Sequence, residues 1–108
     1  MPIKNRNIYS IIGPTAIGKS KIAIELVDKY PFEIISLDSS MIYREMNIGT
    51  DKPDPKILSK YKHHLVDIIN PNEGYNVSQY CNDIGVAIKE IFKNKKIPLL
   101  VGGTMMYF

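Results

Sequence analysis

The sequence predicts an α/β fold, a parallel sheet with flanking helices that is truncated after its third strand. Three observations carry this. Short apolar, β-branched runs recur at residues 7–12, 32–38 and 97–104, each ending in glycine or in small polar residues. Stretches of helical period separate these runs, so successive strands are joined by crossovers and run parallel. A glycine-rich turn lies between the first run and the first helical stretch, at the carboxyl end of a strand, where open α/β sheets bind ligands.

The elements follow in order. "NIYSII" reads as a buried strand that stops at Gly13. "KSKIAIELVDKY" sets Ile22, Ala23, Leu26, Val27 and Tyr30 at helical spacing, and Pro31 ends it. "FEIISLD" is the second strand and runs into the polar cluster Asp38, Ser39 and Ser40. The breakers of "GTDKPDP" (49–55) mark a loop, and "NPNEGYN" marks another. Between them, "KILSKYKHHLVDI" is open to a short helix followed by an extended piece. The strongest helix begins after Asn76, an N-cap with Gln79 three residues on. Tyr80, Ile84, Ala87, Ile88 and Ile91 share its apolar face, and Gly85 weakens it modestly. "IPLLVGGT" is a buried strand, and "MMYF" reads as the start of another helix. A three-stranded parallel sheet leaves apolar edges open, so the chain is expected to be a fragment.

Length and composition bound the function. The chain has 108 residues, one domain's worth at most, and a formal net charge of +3. That balance permits nucleic acid as a partner without requiring it. The densest basic cluster, "KNKK" at 93–96, reads as a solvated helix end, with a nucleic-acid patch as the sharper alternative. The one cysteine, Cys81, makes no internal disulfide, so a reducing compartment is expected; its place in a helical pattern suggests a small core filler. No apolar run suggests a signal peptide or a membrane span, and a cytoplasmic location is expected.

The chemistry concentrates in "GPTAIGKS". Gly13, Pro14, Thr15, Ala16, Ile17, Gly18, Lys19 and Ser20 fit the phosphate-loop pattern G-x-x-x-x-G-K-S. Glycines let successive backbone N–H groups turn toward one anion, which the helix N-terminus also favours. Lys19 adds a point charge, and the Ser20 hydroxyl suits Mg²⁺. A phosphate or diphosphate is expected to bind here, on a P-loop NTPase-like fold. ATP is less well supported, because the later apolar strand ends in Gly102 and Gly103 rather than in a metal-binding acid. The nearest carboxylate is Asp38, at the end of the second strand. Parallel strands would bring Gly13, Asp38 and Thr104 to one crevice, with Asp38 facing the loop as a base, as a helix N-cap, or as both.

With "ISLDSSMIYREMNIGTDKP", "HHLVDI", "YNVSQY" and "PLLVGGTMMYF" in that order, "GPTAIGKS" closely resembles the start of the tRNA dimethylallyltransferase (tRNA isopentenyltransferase) family. The resemblance covers essentially everything after Asn7, and so the N-terminal part of such a core. It implies transfer of a dimethylallyl group from dimethylallyl diphosphate to N6 of the adenosine 3′ of the anticodon in tRNA. It also implies roles for single residues. Thr15 to Ser20 would hold the diphosphate, with Lys19 neutralising charge as it departs and Ser20 on Mg²⁺. Asp38 would be the general base on the adenine amine, and Asp38, Ser39, Ser40 and Met41, with Thr104, would contact tRNA. A monomer is expected. Tyr43 and Arg44 are open between the acceptor path and solvated surface, and Asp67 is expected to serve the fold. His63 and His64, adjacent on an extended piece, would point to opposite faces, which favours packing or hydrogen bonding over metal ligation. Family members run to roughly three times this length, with an inserted helical domain. Three rivals stand beside this reading: an adenylate isopentenyltransferase, a small-molecule P-loop kinase that binds ATP, and an inactive fragment.

Overall fold

A computed structural model of the chain describes residues 7–12, 19–37, 55–66, 68–70 and 74–102. Four strands, β1 (Tyr9–Ile12), β2 (Phe32–Ser36), β3 (His63–His64) and β4 (Ile97–Gly102), form one sheet in the order β1-β4-β2-β3. Every pairing is parallel. Three helices, α1 (Lys19–Lys29), α2 (Pro55–Lys60) and α3 (Val77–Lys93), connect them.

The strands alternate sides, and each side meets one long helix. Phe32 and Ile34 of β2 and Leu99 of β4 pack with Ala23 of α1, and Leu26 and Val27 lie against the cluster. One residue out of phase, Ile35, Leu37 and Leu100 pack with Tyr80, Ala87 and Ile91 of α3. Strands buried on both faces are what a parallel sheet with helices on both sides demands. β2 is the clearest case, with all five residues buried.

The capping box of α3 forms as its sequence predicts. Asn76 Oδ1 accepts from the Gln79 N–H at 2.9 Å, while Gln79 Oε1 accepts from the Asn76 N–H at 3.0 Å. At the other end the Lys96 N–H donates to the Ile91 carbonyl at 3.0 Å and the Lys95 N–H to the Phe92 carbonyl at 2.9 Å. This is a Schellman closure, and it holds Lys95 at φ 60°, where a side chain is unfavourable. Tyr80 ties α3 to the sheet, since its buried hydroxyl donates to the Ser36 carbonyl at 3.0 Å.

Four details differ from the sequence-based expectation. The sheet has a fourth strand, β3, two residues long and too short to show an alternating pattern. It is the extended piece left open in "KILSKYKHHLVDI", and α2 is its short helix, which takes Pro55 as its first residue rather than leaving it in the loop. β1 is less buried than its apolar run suggests. Tyr9 and Ser10 are exposed because, among the described residues, β1 pairs with β4 on one side only. On α1 the buried stripe is narrow: Ile22 is exposed, and Tyr30 falls beyond the last helical residue, where it packs edge-on against Phe32. Cys81 is exposed on α3, not a core filler.

β4 and β2 approach closely where they leave the sheet. A Cβ built on Gly102 would lie 2.7 Å from Leu37 Cβ. That atom cannot swing away, because it is fixed to the backbone of a residue whose N–H donates to the Val101 carbonyl at 2.8 Å. Gly85, in contrast, has nothing within 4 Å of where a Cβ would lie. Gly102→Ala should therefore cost about 1–3 kcal/mol through overpacking, whereas Gly85→Ala should gain about 1 kcal/mol of helix propensity. Urea midpoints of the two variants check this, and equal shifts would refute the close approach. Lys95→Gly should likewise raise the midpoint, by about 1 kcal/mol, by relieving the left-handed residue.

Candidate active site

The register of the sheet fixes where the site can be. Ile12, the last residue of β1, is paired with Gly102, the last of β4. Leu37, directly after β2, is bonded to Val101 beside it. The three chain segments that begin at Gly13, Asp38 and Gly103 thus leave from one edge, with β4 between the other two. Neighbouring strands lie about 4.8 Å apart, so the exits of β1 and β2 are separated by about 10 Å.

Lys19 is the first residue of α1 and is only 7% exposed. A lysine is rarely buried unless it has partners, and Lys19 does take part in an interaction. Ser20 follows in the first helical turn. β1 ends at Ile12 and α1 begins at Lys19, so the intervening segment is the strand-to-helix connection that the phosphate-loop pattern calls for. The helix lacks acidic residues in its first turn, which leaves its positive dipole end uncompensated by its own side chains.

The other predicted site residues lie outside the described residues: Gly13, Pro14, Thr15, Ala16, Ile17 and Gly18 of the loop, then Asp38, Ser39, Ser40, Met41 and Thr104. So do Tyr43, Arg44 and Asp67. Their attachment points are fixed, in that Asp38 follows the buried Leu37 and Gly103 follows the buried Gly102.

The two histidines are hydrogen-bonding residues. His63 Nδ1 donates to the Tyr61 carbonyl at 2.8 Å. Burial pushes the His63 pKa below the usual histidine value, the bond to Tyr61 draws it partly back, and His64 alongside lowers it further. His64, on the opposite face, is buried, and its Nε2 donates to Glu33 Oε1 at 2.9 Å. Its Nδ1 lies 4.0 Å from Glu90 Oε2. Among the described residues no group of histidine, cysteine, aspartate and glutamate is arranged to hold a metal ion.

Sequence reasoning missed Glu33, a carboxylate inside the fully buried β2. Its position in "FEIIS" offered the only signal, since a charged residue in a buried strand needs a partner. Both oxygens are engaged, one by His64 and the other by Asn94 Nδ2 at 3.4 Å. The pair joins β2 to the edge strand β3, which has only two residues of backbone pairing. Leu65, immediately after β3, is held at φ 67°, a strained value for a bulky residue, and its side chain is buried in the α3-side core. Packing of that side chain offsets the strain where the chain turns after His64.

Comparison with known proteins accords with this geometry. The family model described as IPP transferase matches residues 41–108. A tRNA dimethylallyltransferase of Legionella pneumophila (strain Corby) is 53% identical over 104 residues, which is 96% of this chain and 33% of that protein. One from Psychrobacter arcticus is 45% identical, covering 98% of this chain and 26% of that protein. Among solved structures, the full-length tRNA isopentenylpyrophosphate transferase of Bacillus halodurans superposes with a TM-score of 0.87 at 38% identity, over 95% of this chain and 34% of that one. A eukaryotic dimethylallyltransferase solved while acting on tRNA gives a TM-score of 0.88 at 31% identity, over 95% of this chain and 26% of that one. The chain therefore spans about a third of the length of the relatives it matches. Its parallel sheet and flanking helices are the P-loop NTPase-like fold of these transferases, and the chain belongs to the IPP transferase family.

Proposed function

We propose that this chain carries the diphosphate-binding and base-handling third of a tRNA dimethylallyltransferase, which moves a dimethylallyl group from dimethylallyl diphosphate to N6 of the adenosine 3′ of the anticodon. The observation that carries the reading is Lys19, buried at the start of α1 directly beyond the β1 exit, in a chain whose relatives are tRNA dimethylallyltransferases.

In this reading the donor's diphosphate lies in the loop 13–20. Backbone N–H groups of the loop, the N-terminus of α1 and the Lys19 ammonium meet the negative charge that grows as the allylic C–O bond breaks and its electron pair passes to the diphosphate. N6 of the adenine forms the new C–N bond, and the proton it sheds passes to the Asp38 carboxylate. Ser39, Ser40 and Met41, with Thr104, would contact the tRNA, whose adenine must leave the anticodon stack to be reached. Asp38 follows the buried, apolar Leu37, a support that would help keep water from the base.

Mg²⁺ is the ion that the residue type at position 20 suits: a serine hydroxyl is a hard oxygen donor, and diphosphate oxygens would complete an oxygen-rich set of the kind that ion prefers. Bound there, it would supply further neutralisation of the leaving diphosphate. The protein would work in the cytoplasm as a monomer; no described helix is long and apolar enough to cross a membrane.

Deleting the gene in its source cell and measuring isopentenyladenosine in digested tRNA by mass spectrometry tests the reading. Loss of the modified base is expected, and an unchanged level would overturn it. In calorimetry with dimethylallyl diphosphate, Lys19→Ala should weaken binding about ten- to a hundredfold, the worth of one charge-assisted hydrogen bond. Tighter binding of ATP than of the allylic donor would favour the kinase alternative.

A further inference from the structure

A second basic feature lies at the opposite edge of the sheet. There a cleft of about 250 Å³ is lined by Val27, Phe32, Glu33, Lys60, Tyr61, Lys62, Asn94 and Lys96. It forms where the chain enters β2, β3 and β4, the amino edge of a parallel sheet whose carboxyl edge carries the phosphate loop. Val27, near the end of α1, lines it, whereas Lys19 begins the same helix. Eight residues of helix separate them, about 12 Å along the axis. The cleft is therefore not an extension of the loop site.

Two basic segments far apart in the sequence, "KYK" at 60–62 and "NKK" at 94–96, meet here. Each is anchored through its backbone or its uncharged members. The Tyr61 hydroxyl donates to Asp28 Oδ1 at 2.9 Å, which fixes the first segment against α1. The Schellman closure fixes the second, and Asn94 Nδ2 donates to Glu33. The lysines thus stand on a rigid rim around an aromatic floor, with the Lys60 ammonium 5.3 Å from the Tyr61 ring centroid.

The charge balance of the cleft favours an anion. Among the described residues that line it the one carboxylate, Glu33, is engaged by His64 and Asn94 rather than by a lysine. Lys62 pairs with Glu90 at 3.4 Å, but both side chains are half exposed, and such a pair contributes little and exchanges readily. The volume is below that of a typical small-molecule pocket, and the rim offers lysine point charges rather than the flat forks of arginine. Those features suit a single phosphate held without reading of sequence.

We infer that this cleft seats one backbone phosphate of the RNA on which the protein acts, a contact remote from the phosphate loop. The identity of the RNA rests on the transferase reading above; the phosphate chemistry does not.

The test measures binding of a fluorescent tRNA anticodon stem-loop to the chain across a range of salt concentrations. For the triple variant Lys60→Gln, Lys62→Gln, Lys96→Gln, the log–log salt slope should fall by about 1, and affinity at low salt should drop about tenfold. Lys89→Gln, on the exposed face of α3, should change neither. A slope equal to that of the unmodified chain would overturn the inference, even if the triple variant also lost binding of inorganic phosphate, because the cleft would then serve a free anion. Should the triple variant fail to fold, Lys96→Gln alone, at an exposed position, should lower affinity in the same direction, and no change there would also overturn it. Calorimetry with inorganic pyrophosphate separates the two readings. The triple variant should bind pyrophosphate as the unmodified chain does, so a missing slope change with intact pyrophosphate binding sinks the cleft alone, while a slope change without pyrophosphate binding sinks the donor site alone.

Discussion

The contact between Gly102 and Leu37 sets the geometry on which the rest depends. β4 is flanked by β1 and β2, so its last residues determine how closely the two exits can lie. A side chain at Gly102 would collide with Leu37 Cβ, so the spacing is available only with glycine there. Moving these strands apart would shift the start of the phosphate loop, the start of the segment that carries Asp38, and the start of the segment that carries Thr104. The proposed transfer, which needs the adenine N6 and the leaving diphosphate on opposite sides of one carbon, would tolerate little such movement, because misplacement by an ångström can cost a large part of the rate.

The described part of the molecule is a scaffold in the strict sense. None of its buried side-chain polar atoms lacks a hydrogen-bond partner. The Glu33–His64 pair shows how this is achieved at the weakest seam. Burying either member alone would cost several kcal/mol, so the two must be ordered together. Ordering them holds a two-residue edge strand in place and hands the chain to Leu65, whose strained backbone the α3-side core retains. A polar pair inside the sheet thus does for β3 what backbone pairing does for the longer strands.

How much of this could be read from the residues depended on whether local chemistry or tertiary context decided the outcome. α3 was legible to its first hydrogen bonds, because Asn76, Gln79 and the face from Tyr80 to Ile91 act within the helix itself. β2 was legible because both of its faces are apolar. β1 was misjudged because its exposure reflects which strands flank it, and that is decided by pairing rather than by sequence. β3 stayed an open extended piece, not counted among the sheet strands, because two residues have no period. Cys81 was misplaced because a helix position alone does not say which way it faces when its neighbours are mixed. At the site, the G-x-x-x-x-G-K-S spacing singles out Lys19 as a candidate, since the pattern is itself a statement about backbone geometry, and the fold buries that residue at the start of α1. Glu33 had no such pattern. Its partner lies across the sheet in His64, thirty-one residues on, and only the folded chain joins them.

α1 ties the two edges of the sheet together. Its first residue, Lys19, is buried, and its last turns supply Val27 to the cleft and Asp28 to the Tyr61 hydroxyl. The helix is packed along its length against β1, β2 and β4 through Ala23, Leu26 and Val27, so its ends cannot move independently. An RNA phosphate seated at the amino edge would therefore bear on a rigid body that also carries Lys19, the lysine proposed for the donor site. Such coupling needs no change of conformation to be useful. A substrate held at two points of one rigid frame loses its orientational freedom on binding, and less of that freedom is left to be lost as the base approaches the donor.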